Sequence, residues 1–106
     1  MRSVGSPPKY RNKKTGGYAS MAEANRAGAL KLLERAGRIT ELREQVPYIL
    51  VPKQDGEGAV KYVADFVYQQ DGQTVVEDVK GFKTREYVIK RKLMLHVHGI
   101  RIREVA

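Results

Sequence analysis

The chain has 106 residues with an apolar share of 42%, enough for one packed core and too few for two. It has no cysteine, which excludes disulfides and cysteine-ligated zinc, and no apolar run approaches the roughly 20 residues that span a bilayer. The net charge of +8 is segregated, with acids gathered in residues 21–79 and both ends basic, a pattern that points to a polyanionic partner such as nucleic acid.

Residues 1–19 combine Pro7-Pro8, Gly16-Gly17 and scattered lysines without a hydrophobic period. They read as a flexible basic arm, leaving 20–106 as a single domain. The opening MRSVGSPPKYRNKK lacks the apolar stretch of a secretory signal, so the expected location is the cytoplasm, with no membrane partner. Ser20-Met21-Ala22-Glu23 has the form of a capping box and Gly37 marks the other end of a first helix. Ala24, Ala27, Ala29, Leu30, Leu32 and Leu33 between them are good helix formers, and the alanines imply close approach to another element. Residues 39–51 read as extended, bent or broken at Pro47, with Tyr48-Ile49-Leu50-Val51 as the strand core. After a polar loop from Lys53 to Gly58, Ala59 to Gln69 reads as a strand. Asp71-Gly72 predicts a two-residue type I′ hairpin, and Gln73 to Lys80 the return strand. Thr84 caps a second helix running to about Val97 with Gly99 as its stop, and Ile100 to Val105 forms a last short strand. The order helix, three strands, helix, strand defines an α/β domain with a mixed central sheet.

The hairpin sets a register with chemical consequences. Pairing Gln70 with Gln73 puts Asp65 opposite Asp78, Val67 opposite Val76, and Val63 opposite Lys80. Directly opposed residues have Cβ atoms about 4.5–5.5 Å apart. On strict alternation Tyr62, Ala64, Phe66 and Tyr68 share one face, while Val63, Asp65 and Val67 share the other. Thr74, Val76, Asp78 and Lys80 meet Asp65, so two carboxylates and an ammonium cluster among valines. Opposed like charges are unfavourable without compensation. A divalent cation such as Mg²⁺ or Mn²⁺ resolves the conflict, because it takes hard oxygen ligands. The competing reading is a surface hairpin with an ordinary Asp78–Lys80 salt bridge and Asp65 solvated at a sheet edge.

Other side chains carry two readings each. Glu23 closes the capping box on Ser20, or, with Ala27 and Leu30 at i+4 and i+7, points from an apolar helix face toward the sheet as a metal or water ligand. Glu77 alternates with Asp78 and is expected to face away, toward the second helix or solvent. His96 and His98 invite a metal reading but have no third ligand type nearby. Lys83, Arg85, Lys90, Arg91 and Lys92 surround the second helix and either grip phosphates or form its solvated face. The arm's Lys13, Lys14 and Arg11 add non-specific affinity, and Tyr10 and Tyr18 are candidates to stack on bases.

A carboxylate on an early helix, an aspartate on a strand and Asp-x-Lys on the next strand resemble the PD-(D/E)XK nuclease superfamily. More narrowly, Tyr10-Arg11-Asn12-Lys13-Lys14, Glu23-Ala24-Asn25-Arg26, Leu32-Leu33-Glu34-Arg35-Ala36-Gly37, Tyr62-Val63-Ala64-Asp65-Phe66 and Val76-Glu77-Asp78-Val79-Lys80-Gly81-Phe82-Lys83-Thr84 resemble a family of short phage and prophage proteins. That family is catalogued as a domain of unknown function and placed among these nucleases. The resemblance covers roughly residues 9–105, with Ala19 standing where an acidic residue is common. It implies a restriction-endonuclease-like core, Asp65 and Asp78 as metal ligands, Lys80 as the motif lysine and Glu23 as the helix carboxylate. The expected activity is Mg²⁺-dependent (or Mn²⁺-dependent) hydrolysis of DNA in a bacterial host cell, selective for branched substrates in the manner of a Holliday junction resolvase, by a homodimer. The competing functions are a basic nucleic-acid-binding module without catalysis and a subunit that needs a partner to cut.

Overall fold

The protein's structure, a computed structural model, describes residues 17–106, so Tyr10, Arg11, Lys13 and Lys14 lie outside the described residues. The elements are α1 (Met21–Arg35), β1 (Thr40–Val51), β2 (Val60–Gln70), β3 (Gln73–Val79), α2 (Arg85–His98) and β4 (Arg103–Val105). The sheet order is β1-β2-β3-β4, antiparallel from β1 to β3 and parallel between β3 and β4. This is the α/β arrangement with a mixed sheet that the element order predicts. No helix among the described residues is long and apolar enough to cross a membrane.

Local chemistry fixes the ends. Ser20 Oγ accepts the Glu23 N–H at 3.0 Å and Thr84 Oγ1 accepts the Tyr87 N–H at 3.1 Å, each satisfying a donor that the first helical turn leaves unpaired. Gly99 closes α2 in the left-handed region at φ +68°, where a side chain is costly. Asp71 and Gly72 have φ of +53° and +78°, as the type I′ turn requires. Pro47 does not break β1, because β1 lies at the sheet edge, where a residue without an N–H is tolerated. Its irregularities fall elsewhere, with register shifts between Thr40 and Arg43 and between Ile49 and Val51.

Two apolar clusters hold the helices to opposite faces. Ala27 and Leu30 of α1 pack with Ile39, Phe66 and Tyr68. Tyr87 and Met94 of α2 pack with Leu50, Tyr62, Ala64, Val67, Val76 and Ile102. The memberships show that strict alternation fails along β2. Tyr62 and Ala64 face α2, whereas Phe66 and Tyr68, expected on the same face, go to α1. β1 inverts at the same level, with Leu42 toward α1 and Val46, Tyr48 and Leu50 toward α2. The residue between Glu44↔Phe66 and Val46↔Ala64 is Gln45, whose φ of +53° is left-handed. A single left-handed residue rotates the chain off its pleat. The inversion is therefore centred on Gln45 and on Asp65, which stands opposite it.

Candidate active site

The hairpin has the register that its turn predicts, with Gln70 opposite Gln73 and Val67 opposite Val76. Regular pairing stops at Phe66↔Glu77, one step short of the aspartates. From there Asp65 bridges the strands itself, its Oδ2 accepting the Val79 N–H at 2.8 Å. The Lys80 N–H turns the other way, to Val105 O at 2.9 Å, so β4 anchors the backbone that carries the lysine. Because Asp65 sits at the inversion, it lines two clefts. One, of 680 Å³, lies on the α1 side with Glu23, Glu44, Gln45 and Lys80. The other, of 310 Å³, lies on the α2 side with Tyr62, Asp78, Lys80, Tyr87 and Lys90.

Asp78 is 2% exposed, and its buried Oδ2 makes no well-formed hydrogen bond among the described residues. Lys80 Nζ stands 3.4 Å from that oxygen and 4.8 Å from the centre of the Tyr87 ring. Burial, then the adjoining Asp65 carboxyl, push the Asp78 carboxyl up to about 7, against the pull of Lys80. The Tyr62 hydroxyl, also buried, makes no well-formed hydrogen bond among the described residues but lies beside Asp78; burial, then the neighbouring Asp78, raise its pKa, so it stays protonated. A buried carboxylate oxygen met by a lysine ammonium at 3.4 Å, with a second carboxylate beside it, is a donor set that fits a hard divalent cation. The sheet-edge part of the competing reading does not hold, since β2 lies between β1 and β3, while the Asp78–Lys80 ion pair it expected is present and Asp65 is half-buried.

The Glu23 backbone and side chain go different ways, the first to the cap and the second toward the sheet. The helix half of the capping box forms, but the Glu23 carboxylate does not return to Ser20. It is 8% exposed on the α1 face shared with Ala27 and Leu30, and its Oε2 accepts from Gln45 Nε2 at 3.0 Å. The same amide nitrogen lies 3.5 Å from Asp65 Oδ1. Burial, then Asp65 and Glu44, raise the Glu23 pKa, while Lys80 lowers it. Among the described residues no group of three His, Cys, Asp or Glu side chains converges as a metal cage. Asp65, Asp78 and Lys80 are brought together, and Glu23 stands one amide away.

Glu77 does face away from Asp78, but toward the first helix and not the second. It is fully buried, with Arg26 of α1 donating from Nε to Oε1 at 2.8 Å and from its terminal nitrogen to Oε2 at 2.6 Å. The Tyr68 hydroxyl donates to the same Oε2, and Arg103 of β4 donates to Tyr68 at 3.1 Å. Burial alone would raise the Glu77 pKa, yet these hydrogen bonds and charges bring it below the ordinary carboxylate value. The network ties α1, β2, β3 and β4 together one residue from Asp78.

The basic residues divide. Lys90 lines the α2-side cleft and pairs with the exposed Glu86 at 3.1 Å. Lys83 and Arg91 turn to Glu104 at 3.7 and 2.9 Å, while Arg85 and Lys92 are exposed. His98 Nε2 lies 2.8 Å from Ile49 O, and its ring meets Tyr48 edge-on at 5.5 Å, so it secures α2 to β1. Tyr18 is not free to stack on a base, for it packs into the α1 cluster and donates to Glu44 at 3.0 Å. Sequence reasoning missed Gln45, Tyr62 and Tyr87 as members of the site. Tyr62 and Tyr87 carry a retrospective signal, being aromatic residues three before Asp65 and seven after Lys80; Gln45 carries none.

Fold and site together define an α/β domain with an acid pair and a lysine where its two central strands part. The chain belongs to the family described as "Protein of unknown function (DUF1064)", whose model matches residues 8–105. No match was found among the curated proteins or among the solved structures.

Proposed function

We propose that this protein is a divalent-metal-dependent endonuclease that hydrolyses phosphodiester bonds of DNA, with branched DNA as its preferred substrate. The observation that carries the reading is the buried Asp78 carboxylate next to Asp65, its Oδ2 without a well-formed hydrogen bond among the described residues and 3.4 Å from the Lys80 ammonium. Natural folds satisfy such atoms or use them, and a protein that only bound phosphate would gain nothing from two carboxylates that repel it.

Asp65 and Asp78 would hold the cation, Mg²⁺ or Mn²⁺. When bound, it polarises the phosphate and lowers the pKa of water at neutral pH. Lys80, kept near Asp78 and over the Tyr87 ring, offers its ammonium to an attacking water or to the charge that develops on the phosphate. Tyr62 remains a proton donor in the same cleft. Lys90 at the cleft wall, with Lys83, Arg85, Arg91 and Lys92 around α2, supplies positive charge for flanking phosphates. Cutting two strands of a branch calls for two such sites, hence a homodimer.

The reading is tested by incubating the protein with branched, duplex and single-stranded DNA in Mg²⁺ or Mn²⁺, beside EDTA controls and Asp78→Ala. Cleavage by the wild type alone, and only with metal, is expected. If neither metal supports cleavage of any substrate, or Asp78→Ala cuts equally well, the reading fails.

A further inference from the structure

Gln45 has three properties that are not independent. It is a non-glycine residue held at φ +53° inside a strand. It stands at the point where both β1 and β2 invert their faces. Its amide nitrogen lies between two carboxylates on different elements, 3.0 Å from Glu23 Oε2 of α1 and 3.5 Å from Asp65 Oδ1 of β2. A left-handed conformation at an exposed glutamine is unfavourable in itself and persists where its surroundings impose it. The amide NH₂ has two donors, and only that end of the side chain can face two carboxylates. The amide is also neutral, so it joins the acids without cancelling the charge they present to the cleft they share with Lys80 and Glu44.

We infer that Gln45 is a positioning residue, a clamp that draws the Glu23 carboxylate of α1 to Asp65 and sets the direction of Asp65 Oδ1. Asp65 is then held at both oxygens, Oδ2 by the Val79 N–H at 2.8 Å and Oδ1 by the longer 3.5 Å contact from Gln45, in the cleft that it lines with Asp78. The left-handed turn is what aims the glutamine at the pair, because an unbroken pleat would send the side chain to one sheet face only. The inference rests on the metal-dependent reading of the Asp65–Asp78 pair and adds to it a residue that touches neither substrate nor cation.

Two measurements test it on the full chain. Gln45→Met keeps the length and the backbone demand of the side chain but removes both donors. The first is a double-mutant cycle of Gln45→Met with Glu23→Ala, read by urea denaturation in EDTA. Non-additive effects are expected, and additivity would overturn the clamp. The second is calorimetric titration of Mn²⁺ into wild type and Gln45→Met. Since supporting partners of metal ligands typically govern affinity by roughly 10–100-fold, Kd is expected to rise by about tenfold in the variant, and equal affinities would overturn the positioning role. Wild type that binds no Mn²⁺ would overturn the metal reading and with it the positioning role, while the cycle would still decide whether the clamp exists.

Discussion

Replacing Asp78 by asparagine in the metal-free protein should make the fold more stable, an unusual outcome for a polar residue that is 2% exposed. The substitution keeps the shape and removes a charge whose Oδ2, among the described residues, makes no well-formed hydrogen bond and pairs with Lys80 at 3.4 Å. A rise of its carboxyl from 3.8 to about 7 corresponds to a ceiling of about 4 kcal/mol, at about 1.4 kcal/mol per pH unit. Asp65 shares in that repulsion, and the new amide must bury donors of its own, so a net gain of about 1–2 kcal/mol is expected. That is a rise in Tm of roughly 5–10 °C for a domain of this size. The sign with pH follows from proton binding: between 3.8 and 7 the folded carboxyl holds a proton that the unfolded one has lost, so wild-type stability falls as pH rises through this window. Asparagine does not titrate, and the gap between the two proteins should open from near zero at pH 4 to its full size above pH 7. Thermal denaturation in EDTA over that range provides the assay. A variant that melts below wild type at pH 8, or a gap that does not change with pH, would refute the reasoning. Saturating Mg²⁺ should narrow or reverse the gap by stabilising the wild type alone.

Arg26→Ala leaves the fully buried Glu77 without its bidentate partner, and a loss of about 3 kcal/mol is expected by urea denaturation. Arg26→Met with Glu77→Leu should recover only part of that loss, because the apolar pair strands no charge but leaves the buried Tyr68 hydroxyl without its acceptor. Thr84→Ala removes the acceptor for the Tyr87 N–H at the start of α2 and should cost about 1 kcal/mol in the same measurement. Lys90→Ala should weaken DNA binding and lower the salt slope by about one, because its partner Glu86 is exposed and easily displaced by a phosphate. Arg91→Ala, whose guanidinium is engaged by Glu104, should change it less, with fluorescence anisotropy against salt concentration as the check.

Much of the scaffold was legible because its signals are local. Ser20 and Thr84 cap the helices, Gly99 stops the second, and Asp71-Gly72 selects the turn that sets the hairpin register. That register led directly to Asp65, Asp78 and Lys80. Glu23 was legible too, since Ala27 and Leu30 mark its helix face. The inversion along β2 was not, because it depends on a left-handed glutamine in the neighbouring strand, and glutamine carries no sequence signal for that conformation. Parity turned Glu77 away from Asp78, but which helix covers that face is decided by tertiary packing, and its partner Arg26 is 51 residues distant. The cations in and just before α2 looked equivalent in sequence and differ in partner: Glu104, on the last strand, engages Lys83 and Arg91, while Glu86 engages Lys90 within the helix.

All of this chemistry depends on the Asp65–Asp78 pair being a cation site. Calorimetric titration of Mn²⁺ into metal-free wild type, Asp65→Asn, Asp78→Asn and Lys80→Met examines that directly. Saturable binding by wild type is predicted, weakened by roughly tenfold or more in either asparagine variant and kept or tightened in Lys80→Met, which loses a competing positive charge. No binding by wild type, or Asp78→Asn binding Mn²⁺ as tightly, would contradict it.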